Sequence, residues 1–186
     1  AIFYIIPETL YIFFLSKRRV ALCVCTVFFY IALIGSDHSP FLVSEKEKKD
    51  KDGNKDIFLS PSGFPGIDLR LPLMITEGLK RGVSLEKIVE LLSVNPAKLF
   101  HIFPQKGTIS AGADGDLVIV DMNKKVTCHA EDSYSQAKGI MKVYEGWQLD
   151  CAVDSTIVRG RVVYENGKVD ESASGWGEFV KPVLKK

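Results

Sequence analysis

"IALIGSDHSPF", residues 31–41, is the stretch on which the reading of this chain turns. Apolar residues Ile31 to Ile34 run into Gly35, and Asp37 and His38 then stand side by side. The β-branched and aromatic residues Val27 to Ile31 favour a strand leading into them. On the residues alone, Asp37 has two readings. It caps a turn through its neighbour Ser39, or it is a carboxylate delivered to a reacting centre.

The totals narrow the classes. The chain has 186 residues, room for one sizeable domain or parts of two. Its 24 basic and 23 acidic residues leave a net charge of +1, which gives no footprint for nucleic acid. Hydrophobic residues make up 46%, enough for a packed core. Of the four cysteines, Cys23 and Cys25 stand too close for a C-x-x-C knuckle, and Cys128 and Cys151 have no metal-like spacing. They read as small buried hydrophobes in a reducing compartment, so the expected location is the cytoplasm.

The amino end is unusual. Residues 1–15, "AIFYIIPETLYIFFL", are almost wholly apolar; Lys17, Arg18 and Arg19 follow, and Val20 to Ile34 is an uncharged run of 15 residues. A basic flank before an apolar block is similar to a signal anchor, but a spanning helix needs about 20 apolar residues. A secretory signal would carry its charges first. Residues 1–30 are therefore expected to be an atypical apolar segment rather than a membrane span. The chain also lacks an initiating Met, which suggests a piece of a longer protein.

Downstream, "EKEKKDKDGNK" (45–55) reads as a solvated charged loop around a Gly-Asn turn. "SPSGFPG" (60–66), with two prolines and two glycines, is a shaped loop of the kind that carries function beside a rigid core. A helix is expected over Leu69–Arg81, with Gly82 at its C-terminal cap. Ser84 is an N-cap for a second, whose apolar stripe includes Leu85, Ile88, Leu91 and Leu92. That helix should stop near Ser93, before Asn95-Pro96, and a short one should run from Pro96 to Phe100. After Gly107 the texture changes to strands: Leu117–Asp121, another beyond a turn at Asn123, and the pair in "STIVRGRVVYENGKV" (155–169) with an Asn166-Gly167 turn. The boundary falls near residue 104, with an α/β part before it and a β part after it.

Seven pieces then line up in order: "GSDHSPF" (35–41), "SPSGFPGIDLRLPLMITEG" (60–78), "SLEKIVELLSVNPAKLF" (84–100), "KGTISAGADGDLVIVD" (106–121), "YEGWQL" (144–149), "TIVRGRVVYENGKV" (156–169) and "GWGEFVKP" (175–182). Together they resemble the carboxyl-terminal part of the cyclic amidohydrolases: dihydroorotase, hydantoinase or dihydropyrimidinase, and allantoinase. The ordered set carries the likeness; "GADGDLVIVD" alone marks only the wider superfamily.

The resemblance implies a metal-dependent TIM barrel followed by a small β-sandwich. Residues 31–103 would be the end of the barrel, with "YIALIG" as its eighth strand, and residues 104–186 part of the sandwich and a tail. Asp37 would then lie at the carboxyl end of a strand, where barrel enzymes keep their chemistry. Family members hold two divalent ions, usually zinc, through a His-x-His pair, a carboxylated lysine, two further histidines and an aspartate after the eighth strand. By resemblance Asp37 is that aspartate: it touches one metal, takes a proton from the attacking water and hands it to the leaving nitrogen of a cyclic amide. The metals would polarise the carbonyl and acidify the water. His38 would support the site through a hydrogen bond. Ser62, where hydantoinases commonly carry Asn, and Gly63 would line the substrate ring, with Gly permitting close backbone approach. Phe64 would pack on the ring or in the core.

Departures from the family pattern matter too. Phe41 stands where dihydroorotases have a histidine, which leans towards hydantoins or dihydropyrimidines, as does "GWGEFVKP"; "SDHSP" is also allantoinase-like. The chain contains three histidines and no His-x-His, and no lysine is assignable as the bridge. His101 and His129 receive no site role. The expectation is an incomplete carboxyl-terminal part, inactive alone and without the metal pair. The complete protein would be a homo-oligomer, often a tetramer, acting on a small cyclic amide or ureide. The alternative is a non-catalytic dihydropyrimidinase-like scaffold, but such relatives typically lose the aspartate that this chain keeps.

Overall fold

Pro96 does not end the helix that contains it. The computed structural model describes residues 31–183, and the strand, anchor and signal readings of residues 1–30 fall outside the described residues. Helix α1 is Val43–Lys46, α2 is Arg70–Lys80, α3 is Leu85–Val89 and α4 is Asn95–Leu99. Between α3 and α4 the chain forms a π-turn, Glu90–Val94, instead of stopping near Ser93. The physical reason is register. In an i→i−5 turn Asn95 N–H reaches Glu90 O. Pro96 would next donate to Leu91 O but has no N–H. That carbonyl accepts from the backbone N–H of Ile34 instead, at 3.1 Å.

The other helix signals hold. Gly82 takes φ +77° after α2, Val83 N–H donates to Gly78 O at 2.9 Å, and the Ser84 hydroxyl accepts from Lys87 N–H at 3.2 Å. These close α2 and open α3.

The expected eighth strand is a correction. Residues 31–37 form no strand among the described residues. A strand needs a neighbouring ladder. Here the backbone polar groups are met by the helix instead, Ile34 N–H by Leu91 O and Ala32 O by the Asn95 amide at 2.7 Å.

The strands are β1 Leu117–Asp121, β2 Val126–Thr127, β3 Gln148–Leu149, β4 Ala152–Val158, β5 Arg161–Glu165 and β6 Lys168–Val169. Four of them form an antiparallel sheet in the order β1-β4-β5-β6, and β2 pairs with β3. The two hairpin turns, Arg159-Gly160 and Asn166-Gly167, have positive φ at both central residues, the geometry that matches strand twist. Trp176 clips the tail to the first of these hairpins. Its indole N–H donates to Val158 O at 2.7 Å, and Arg159 lies 4.6 Å over its ring.

The core sits where the helices meet the start of β4. Ile75, Val83, Ile88 and Cys151 pack there, with Leu71, Met74, Leu92 and Val120 against them. Ile88 is 0% exposed, and burying such a side chain is worth roughly 1.5–3 kcal/mol. Polar contacts fix the seam: Asp150 N–H donates to the Thr76 hydroxyl at 2.9 Å, and the Ser133 hydroxyl donates to Asp68 at 2.7 Å. Cys128 and Cys151 are buried free thiols. No helix among the described residues is long and apolar enough to cross a membrane.

Candidate functional site

The segment that follows Ile34 is brought to the 60–67 loop by backbone pairing. Asp37 takes φ +46°, a left-handed conformation that Asp tolerates better than most residues. The turn this makes sets His38 against Phe64 in a parallel bridge, and Ser39 N–H donates to Phe64 O at 3.2 Å. The turn-cap alternative for Asp37 is therefore not realised, because Ser39 N–H is committed elsewhere. The half-buried Asp37 carboxylate has no hydrogen-bond partner among the described residues.

His38 acts on the loop. Its Nδ1 accepts from Gly66 N–H at 3.2 Å and Ile67 N–H at 3.3 Å. A nitrogen that accepts two N–H groups carries no proton, so in the neutral ring the proton sits on Nε2. The imidazole thereby joins residue 38 to the chain just ahead of α2.

Gly63 is the closest approach between the two segments. At φ +88°, a Cβ there would lie 2.4 Å from the Ser39 hydroxyl and 3.2 Å from Asp37 O. Only glycine fits. Ser62 beside it is exposed, and Phe64 is 48% exposed.

The charge run contributes a residue that sequence reasoning missed. Lys46, at the end of α1, is half-buried, while Lys48 and Lys49 are exposed. Its ammonium donates to Pro61 O and Gly63 O and lies 5.2 Å from the Phe41 ring centre and 4.8 Å from that of Phe64. The Ser60 hydroxyl donates to Lys46 O. The usable signal was spacing: a lysine five residues after Phe41, ahead of a loop with another phenylalanine. Residues 49–55 do form a surface turn, held by the Asp50 carboxylate accepting from Asp52 and Asn54 N–H.

The remaining histidines stand apart from this cluster. His101 sits at φ +57° after α4, and its carbonyl accepts from Val183 N–H at 2.8 Å. His129 Nδ1 pairs with Glu145 at 2.8 Å, and that hydrogen bond holds the imidazole above its ordinary value of 6.5.

The described residues do not fit a two-ion zinc centre on their own. Among the described residues no three His, Cys, Asp or Glu side chains gather in a group that could hold a metal ion. Asp37 has no histidine partner, and the Nδ1 of His38 is spent on backbone N–H groups.

Comparison with known proteins places this fold. A model of the amidohydrolase family matches residues 55–163, and the chain belongs to that family. It is 39% identical over 153 residues to the L-hydantoinase of Paenarthrobacter aurescens, covering 81% of this chain and 31% of that protein. It is 34% identical over 136 residues to the dihydroorotase of Methanosphaera stadtmanae, covering 73% of this chain and 29% of that protein. Among solved structures, the L-hydantoinase (dihydropyrimidinase) from Arthrobacter aurescens superposes with a TM-score of 0.67 at 34% identity, over 80% of this chain and 32% of that one. The chain thus spans about a third of the length of the curated relatives it matches.

Proposed function

We propose that this chain is the carboxyl-terminal part of a hydrolase that opens the C–N bond of a cyclic amide, of the hydantoin, dihydropyrimidine, allantoin or dihydroorotate type. The names of its relatives support the substrate class. One observation carries the site: the Asp37 carboxylate has no partner among the described residues and sits on a left-handed turn, beside a loop anchored by His38, Ser39 and Lys46.

In this reading Asp37 accepts the proton released as water adds to the ring carbonyl carbon. It returns that proton to the ring nitrogen as the C–N bond breaks. The backbone of the 60–66 loop, with Ser62 and Gly63 at its tip, receives the ring. His38 supports that loop. In the parent fold of this reading, residues 31–103 close a TIM barrel and residues 104–186 form sandwich strands and a tail. A pair of zinc ions would need donors beyond Asp37, so the isolated chain is inactive. The complete protein is a homo-oligomer, and buried free Cys128 and Cys151 suit a reducing compartment such as the cytoplasm.

The test joins these residues to the upstream two-thirds of the L-hydantoinase relative. The folded chimera should hydrolyse hydantoin, and Asp37→Asn should lower kcat at least 100-fold with circular dichroism unchanged. An Asp37→Asn chimera with full activity would overturn the assignment. So would two tightly bound zinc ions and hydantoin turnover in the 186-residue chain alone, as regards its incompleteness.

A further inference from the structure

We propose that Lys46 is a positioning residue that turns the 61–64 backbone so that the Ser62 N–H faces the ring-binding side. The inference rests on the reading of the 60–66 loop as the ring cradle and deepens it.

Lys46 stands out within its own segment. Neighbouring Lys55 pairs with Glu47 at 2.8 Å on the surface. Lys46 instead has no carboxylate partner among the described residues. Its charge is met by two carbonyl oxygens, Pro61 O and Gly63 O, and by the faces of Phe41 and Phe64. Its own carbonyl accepts from Ser60. A single residue therefore holds three successive points of the loop.

Peptide geometry turns this clamp into an orientation. A trans peptide is planar, with its C=O and N–H on opposite sides. Drawing Pro61 O towards Lys46 sends Ser62 N–H the other way, where it has no partner among the described residues. Drawing Gly63 O towards Lys46 sends Phe64 N–H towards the 37–39 segment, with which Phe64 is bridged through His38. Gly63, at φ +88°, would otherwise let these planes rotate, because glycine populates both signs of φ. The lysine supplies the restraint that the glycine removes.

The arrangement also bears on substrate class. With two carbonyls and two aromatic faces around it, the ammonium is occupied. The donors that the loop leaves to a ligand, the Ser62 N–H among them, are neutral, suited to the carbonyl of an uncharged cyclic amide rather than to a ring carboxylate.

The experiment uses the 15N-labelled 186-residue chain with hydantoin as the probe, in wild type, Lys46→Met, Lys46→Gln and Lys46→Arg. In wild type, hydantoin should shift the Ser62 amide resonance. Lys46→Met should weaken that binding at least tenfold and move the free-state Ser62 and Phe64 resonances, while Ile75 and Ile88 resonances stay in place. Lys46→Arg should restore most of both effects, and Lys46→Gln, which keeps a donor without the charge, should fall between. Hydantoin binding to Lys46→Met as tight as to wild type would overturn the inference. If wild type itself ignores hydantoin, the ring-cradle reading is what fails. The free-state spectra then decide the clamp: Ser62 and Phe64 resonances unchanged in both Met and Gln variants overturn it, and a shift rescued by Arg upholds it.

Discussion

The backbone N–H of Ile34 fills the carbonyl of Leu91 that Pro96 leaves open, at 3.1 Å. A proline inside a continuous helix thus becomes the point at which the Asp37 segment is attached. The π-turn makes this work, because it puts the vacant acceptor one residue earlier than an α-helix would.

Asn95 is the second half of that attachment, donating to Ala32 O at 2.7 Å and to Glu90 at 3.2 Å. Asn95→Ala should lower stability by about 1 kcal/mol, the usual net worth of such a bond. It should appear as a lower urea midpoint with the same m value. Hydrogen exchange at Ile34 should quicken, while exchange at the buried Ile88 changes no more than the global loss requires.

Gly63 faces two separate obstacles to substitution, and they can be told apart. Its φ of +88° strains any other residue by about 1–3 kcal/mol. In addition, a Cβ would meet the Ser39 hydroxyl at 2.4 Å and its Cβ at 2.6 Å. Gly63→Ala should therefore destabilise the loop by more than strain alone. The double variant Gly63→Ala with Ser39→Gly removes the two closest contacts but keeps the strain and the approach to Asp37 O at 3.2 Å, so thermal melts should show partial recovery. Full recovery would mean that backbone conformation does not matter at residue 63.

The surface pair His129–Glu145 gives the chain a signed pH dependence. The Glu145 carboxylate, by its hydrogen bond, raises the His129 value above 6.5. The Ala130 N–H and then His129 lower Glu145 below 4.5. The histidine contribution is fully present below pH 6.5 and is lost as pH rises through its elevated folded value. The glutamate contribution is present above pH 4.5 and is lost as pH falls through its depressed one. Melting temperature of wild type relative to His129→Ala should be highest between these limits and should converge at alkaline pH. An NMR titration of the His129 ring checks the elevated value directly.

Much of the fold was legible because local chemistry and final structure agree. The Leu117–Asp121 strand follows from its run of β-branched residues, the Ser84 cap from its hydroxyl, and Gly82 after α2 and the Asn166-Gly167 turn from residues that tolerate positive φ. Three features were hidden for physical reasons. Pro96 reads as a helix stop unless the π-register is known, and that depends on Ile34, 62 residues away in the chain as numbered. The run up to Ile34 has strand-forming side chains, but no strand pairs with residues 31–37 among those described, and tertiary hydrogen bonding overrides propensity. Lys46 was lost in a charge run because what distinguishes it is a partner loop 15–17 residues further on. Asp37 and Gly63 were visible as residues; that Ser39 releases one and demands the other depends on how the chain folds two distant segments together.

Cys151 turns the seam between α2 and β4 into a clock. The thiol is 0% exposed, faces Pro72 O at 3.8 Å, and has its ionisation pushed up by burial. An alkylating reagent reaches it only when helix and sheet part, so its labelling rate counts those separations. Cys128, 5% exposed beside the β2–β3 pair, keeps time for a different opening. The ratio of the two rates measures whether helices and strands come apart as one body or as two.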